Sequence, residues 1–202
     1  MPNWKTHIEI GKKANGYLGY SDESFNLFLL GCILPDINNC YIVKNVSGKI
    51  SHDTTHKGNI KEKSYIDFYN TYIDEIKNNN PLFVGYLLHL FTDYSFNDDF
   101  YTKKADFVNY DKETLRIMKQ SDFAVYNQEF IENEIVIDDI DNAIIQINKI
   151  SEISLVKEDI QKVIEILHNK TEYKCKMNFY TIEELNKLSD MVATAFREFL
   201  IV

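Results

Sequence analysis

His89 and Asp93 stand four residues apart in Pro81-Leu-Phe-Val-Gly-Tyr-Leu-Leu-His-Leu-Phe-Thr-Asp-Tyr94, the most continuously apolar stretch of the chain. Four residues is about one helical turn, so both side chains leave the same face of what should be a buried helix. Burying an imidazole and a carboxylate is costly unless each finds a partner, and the compact answers are a mutual hydrogen bond or a shared metal ion. His7, Asp36, His52 and His56 lie upstream as further ligand candidates, and of the five histidines only His168 falls outside this half. That asymmetry favours the metal. Neutral imidazole nitrogen and carboxylate oxygen suit Zn²⁺ and leave room for water, although Mn²⁺ or Fe²⁺ would accept the same mixed shell. One or two ions are expected. Such an ion lowers the pKa of bound water to about 7, and a second can clamp phosphoryl oxygens, so phosphate-ester hydrolysis is the natural reaction class.

Each candidate also has a plainer reading. His89 can be a core histidine bonded to Asp93 or to a backbone carbonyl. His52 and His56, four apart, can both be ligands, with His56 the preferred one and His52 the spare. Asp53 reads as a solvated loop residue, Asp98 and Asp99 as solvent-facing, and His168 as a helix-end residue interacting with the dipole. Trp4 and the recurring tyrosines read as core. Asp36 and Asp93 are the carboxylates assigned to the catalytic set.

The elements that must position these groups read as helices throughout. A first helix is expected over roughly residues 4–14, aligning His7, Ile10 and Ala14 and ended by the glycines at 16 and 19. A second runs from Ser21 to about Gly31 and must stop before Pro35, which leaves Asp36 at a helix exit. Ile37 to Gly58 has no clear periodicity, and a long loop in a compact domain is usually functional. From Ile60 to Asn78 the set Tyr65, Phe68, Tyr69, Tyr72, Ile73 and Ile76 follows the helical spacing. Pro81 opens the helix of His89. An irregular stretch to about Asn109 follows, then amphipathic helices over roughly Lys112–Glu134, Asp138–Ile150, Val156–Asn169 and Ile182–Leu200, the last opened by a Thr181/Glu184 capping box. Ile135-Val-Ile137 is too short to argue for a sheet. The expected fold is an all-α single domain over residues 1–202, a bundle of about seven to eight helices.

Charge narrows the partners. With 22 basic against 31 acidic residues, a net charge of −9 and no basic patch, broad attraction to nucleic acid or an anionic membrane is not expected. Cys32, Cys40 and Cys175 form no C-x-x-C pair, so they read as reduced thiols and not as a disulfide or thiolate-metal framework. No apolar leader precedes His7 and no run of about 18 apolar residues exists, so neither a signal peptide nor a transmembrane helix is expected, and the cytoplasm is the default location. Oligomeric state is not legible.

The early His7, the Leu-Pro-Asp36 helix exit, the Ser-His52 and Thr-His56 loop and the Gly-Tyr-Leu-Leu-His89-x-x-x-Asp93 helix together resemble the bacterial zinc-dependent phospholipase C family. That family shares its helical fold with fungal single-strand nucleases. The resemblance covers about the first 100 residues. It implies one zinc held by Asp36, His56 or His52, His89 and Asp93, and a second shared between His7 and Asp93. The family's third zinc takes histidines downstream of the central helix; Tyr94 to Tyr101 contains none, so at most two ions are implied. The substrate implied is a phosphate-ester small molecule or a lipid head group. Two other readings remain open. A helical HD-type phosphohydrolase would use His7, His52-Asp53 and Asp93 and leave His89 idle. In a non-catalytic protein, the metal would clip the long loop to the helices.

Overall fold

The apolar run around His89 forms a 23-residue helix, and the rest of the bundle packs on it. The computed structural model describes residues 2–58, 63–103, 110–129, 135–168 and 176–201. In chain order the helices are α1 (Trp4–Leu18), α2 (Asp22–Gly31), α3 (His52–Thr55), α4 (Ser64–Thr71), α5 (Ile73–Lys77), α6 (Pro81–Lys103), α7 (Lys112–Tyr126), α8 (Ile140–Ile147), α9 (Lys157–His168) and α10 (Ile182–Ile201). Short 3-10 turns cover Leu34–Asp36 and Asn127–Glu129. No strand occurs among the described residues, so the fold class is all-α. None of the described helices is long and apolar enough to cross a membrane.

The helix around His89 is apolar on nearly every side, as a helix enclosed by neighbours must be. It packs against α2 above all, and also against α1, α4, α5 and α10. Two glycines permit the α2 contact. A Cβ on Gly85 would lie 2.2 Å from the Phe28 carbonyl oxygen, and one on Gly31 would lie 2.3 Å from that of Leu82. The backbones therefore touch where any larger residue would hold them apart. Around this contact one hydrophobic cluster runs from Ile8 to Phe196.

Several boundaries differ from the sequence expectation, each for a local reason. The first helix passes Gly16 and ends at Gly19, whose left-handed φ of 75° lets its N–H bond the Asn15 carbonyl. The stretch after Asp93 is not irregular: α6 continues to Lys103 because Phe96 and Phe100 carry on its buried face, meeting Phe123 and Phe179. The expected Ile60–Asn78 helix breaks at Tyr72, whose hydroxyl is drawn to Glu152 at 2.6 Å. This break and the short α3 raise the count to ten described helices. The capping box holds: Thr181 N–H donates to Glu184 at 2.8 Å, and Glu184 N–H to the Thr181 hydroxyl at 3.1 Å. Residues 59–62, 130–134, 169–175, including Cys175, and the side chain of His168 lie outside the described residues.

The long segment Ile37–Gly58 is pinned at three places to residues far along the chain. Asn38 donates to the carbonyls of Gly48 and Ser154 (2.5 and 2.7 Å) and accepts from Ser154 N–H (3.1 Å). Asp159 accepts from the N–H of Ser47 at 3.0 Å and also bonds its hydroxyl. Lys57 meets Glu152 at 2.7 Å and donates to Thr71 at 3.1 Å. These bonds set where α3, and so His56, can sit.

Candidate metal centre

Five buried side chains converge beneath α3: His7 from α1, Asp36 from the Leu34–Asp36 turn, His56 from the end of α3, and His89 and Asp93 from α6. A sixth, His52, lies at the rim, with its ring stacked on His56 at 3.7 Å and 20% of its side chain exposed. The sequence-derived set is thus brought together in full. Among the described residues, the three groupings able to hold an ion draw on these six side chains alone.

The distances suit one tetrahedral ion. His56 Nε2 lies 3.1 Å from His89 Nε2, 3.3 Å from Asp93 Oδ2 and 3.7 Å from Asp36 Oδ1, and His89 Nε2 lies 3.5 Å from Asp93 Oδ2. Ligands about 2.0–2.1 Å from a tetrahedral zinc stand about 3.3 Å from one another, so these separations match the edges of such a shell. A second donor pair adjoins it: His7 Nε2 is 3.3 Å from the other oxygen, Asp93 Oδ1. Neither Asp93 oxygen nor either nitrogen of His7 has a partner in hydrogen-bond geometry, although all are buried. Groups so close, so deep and so poorly hydrogen-bonded to one another have the disposition of ligands around a common cation.

Tautomers sharpen the point. His89 Nδ1 donates to the Cys32 carbonyl at 2.7 Å, which leaves its Nε2 with the lone pair when the ring is neutral. His56 Nδ1 faces the Thr55 hydroxyl at 2.9 Å and the His52 carbonyl at 3.1 Å, and the Thr55 hydroxyl itself donates to that carbonyl. The oxygens accept from Nδ1–H, so His56 Nε2 is also lone-pair-bearing. Two acceptor nitrogens at 3.1 Å, beside two carboxylates, require a positive charge between them, whether proton or metal. Without metal the proton goes to His89. Burial works against it, but Asp93 outweighs burial and raises the pKa of His89. Burial alone would push the Asp93 carboxyl up; the charge of His89 and contacts with His56, His7 and His89 instead hold it well below the usual range.

Three supporting residues carry no signal in the sequence. Asn39 donates to Asp36 Oδ1 at 3.0 Å and accepts from Tyr41 N–H at 3.0 Å, fixing the carboxylate against its own turn. Thr55 sets the His56 tautomer. Cys32 acts through its carbonyl, delivered by the Gly31–Gly85 contact, while its thiol is buried in the core. Residue type alone does not announce any of these roles.

Asp53 departs from the HD-type pattern. Its side chain is 88% exposed, and His52 Nδ1 stands 3.9 Å away, so it points out of the cluster that the pattern would have it join. His89, idle in that pattern, is at the centre. Asp98 is exposed as expected, but Asp99 accepts from the Tyr180 hydroxyl at 3.2 Å.

A pH prediction follows from His7. Burial, with the charge of His89, lowers its pKa from 6.5 to about 4, and burial does the same for His52. The unfolded chain therefore binds more protons than the folded one between pH 6.5 and 4, so metal-free protein should lose stability as the pH falls through that window. For His7 the loss amounts to about 3 kcal/mol at about 1.4 kcal/mol per pH unit. Urea denaturation of chelator-treated protein at pH 6.5 and 4.5 measures it, and His7→Asn should flatten the slope. An equal slope in the variant would remove His7 as its source.

The structure thus defines an all-α protein with a buried His/Asp cluster able to hold a metal ion. Comparison of the chain with protein-family models, with curated proteins and with solved structures gives no match. The phospholipase C resemblance rests on the motif residues alone.

Proposed function

We propose that this chain is a metal-dependent phosphoester hydrolase, with zinc as the first choice of ion and Mn²⁺ or Fe²⁺ as substitutes. The observation that carries the reading is the pair of lone-pair-bearing nitrogens, His56 Nε2 and His89 Nε2, 3.1 Å apart between two buried carboxylates. Asp36, His56, His89 and Asp93 would hold one ion, and His7 with the far oxygen of Asp93 would contribute to a second. When bound, such ions supply Lewis acidity and an activated water at neutral pH. His52, the partly exposed member of the cluster, marks the side from which a substrate reaches it, beside the exposed Tyr41 whose ring meets its edge at 5.9 Å. The substrate class is a small phosphate ester or the head group of a lipid.

A second reading has one observation in its favour. Four buried donors already complete a tetrahedron, and a closed shell is what a structural clip needs. The two readings part on a single experiment. Protein purified without a His-tag and reconstituted with Zn²⁺ should carry one to two ions per chain by elemental analysis. It should also hydrolyse a nitrophenyl phosphate ester in a chelator-sensitive way, with phosphatidylcholine vesicles turned over poorly. His89→Ala, prepared identically, should lose both metal and turnover. Metal uptake with equal turnover in parent and variant would leave the clip standing and remove the hydrolase.

A further inference from the structure

One divalent ion held by Asp36 and Asp93 is electrically neutral with its two carboxylates, and the chain as a whole carries −9. Neither the centre nor the overall field would then attract an anionic ester. The attraction must come from a cation close to the cluster but outside its ligands.

α7 supplies a cation of this kind. It packs along the face of α6 that carries Asp93: Phe96, three residues on, meets Phe123 at 5.8 Å, and Phe100, seven residues on, lies under Lys119, whose Nζ stands 4.6 Å from the ring centroid. Seven residues is about 10 Å along a helix, and a lysine side chain reaches about 6 Å of it, so the remaining gap is of the size that a bound phosphoryl group spans. Lys119 is half-buried. Burial favours loss of its proton, while the charge of Asp93 favours keeping it, so the ammonium lies within the electrostatic reach of the centre. Among the described residues it forms no ion pair with a carboxylate, in contrast to Arg116 one turn earlier, which is forked by Glu113 at 2.9 and 2.6 Å. A desolvated ammonium resting on an aromatic face with no acid opposite is a site prepared for an external anion.

We propose that Lys119 is a substrate-binding residue of the metal centre, its ammonium holding phosphoryl oxygens of an anionic ester whose phosphorus lies over the Asp36/His56/His89/Asp93 cluster. This rests on the metal-hydrolase reading above and narrows it to substrates with phosphoryl oxygens free to meet a second cation. It also assigns α7 a role that the motifs of the first 100 residues do not contain.

The probe is inorganic phosphate, titrated calorimetrically into the zinc-loaded full chain, with zinc content measured on the same samples. Lys119→Met keeps the apolar stem on Phe100 and should weaken phosphate binding by about tenfold or more, the size of a charge-assisted hydrogen bond, with zinc content and melting temperature unchanged. Lys119→Arg should stay within about threefold of the parent, since it keeps the charge. Equal phosphate affinity in Lys119→Met and the parent would overturn the proposal, as would a parent that loads zinc yet binds no phosphate. A loss of phosphate binding that tracks loss of zinc in Lys119→Met would also overturn it, by making Lys119 a structural residue. A parent that loads no zinc defeats the metal reading itself, which the elemental analysis reports separately.

Discussion

Asp93→Asn should empty the centre. Its two oxygens face different neighbours, Oδ2 toward His56 and His89 (3.3 and 3.5 Å) and Oδ1 toward His7 (3.3 Å), so one substitution removes the charge from both donor sets. Zinc affinity should fall by at least about 100-fold, beyond what the loss of an outer-shell partner costs. The metal-free variant should also be less stable, by on the order of 3 kcal/mol, because His89 loses the carboxylate that raises its pKa in the core. Asp53→Asn, at a carboxylate 88% exposed, should change neither quantity. Competition with a chromophoric chelator gives the affinity, and urea denaturation of chelated protein gives the stability. If Asp93→Asn retained parental zinc affinity while Asp53→Asn lost it, the cluster would be wrongly assigned and the HD-type pattern restored.

Gly85→Ala, a change of one methyl group that touches no ligand, should be nearly as damaging. The new Cβ would fall 2.2 Å from the Phe28 carbonyl oxygen, and a backbone atom cannot rotate away, so α2 and α6 must separate. Overpacking of this kind costs about 3 kcal/mol or more, equivalent to a fall of roughly 10 °C in melting temperature for a chain this long. Separation also draws the Cys32 carbonyl from His89 Nδ1, now at 2.7 Å, so zinc affinity should drop by about tenfold or more. Gly16→Ala is the control: its Cβ meets nothing within 4 Å and it lies inside α1, so it should stabilise by about 0.5–1 kcal/mol. Scanning calorimetry on the two variants and the parent decides the matter, and an unchanged melting temperature in Gly85→Ala would show that the contact yields.

The ligand set was legible in the sequence because its cost was legible. Histidine and aspartate inside an apolar helix need a reason, and His89 and Asp93 announced one. The helix-breaking Pro35 likewise marked Asp36 as the end of an element. The choice between His52 and His56 was not legible, since both sit at helical spacing in one loop; burial separates them, and burial here depends on Lys57 reaching Glu152 from the next position in the chain. The split at Tyr72 was equally hidden, because the apolar spacing of Phe68, Tyr72 and Ile76 is helical whether or not the backbone is. Only the pull of Glu152 and Ser151 on the tyrosine hydroxyl interrupts it. Asn39 and Thr55 escaped because polar loop residues have many uses, and the sequence does not say which hydrogen bond each will make.

The pins on the long loop bear on the order in which the chain can acquire its metal. Every candidate ligand lies at or before residue 93, yet the segment bearing His52 and His56 is tied down by Ser154 and Asp159, which are 116 and 112 residues away from the loop residues they hold. During synthesis the ligands are therefore complete long before the partners that fix the loop have been made. Closing loops of that length is entropically costly and kinetically slow, so the centre assembles late, after α8 and α9 have docked. A nascent chain passes through an interval with its histidines present but unarranged, in which metal capture is weak and unselective. The distant tethers thus make metal acquisition a closing event of folding.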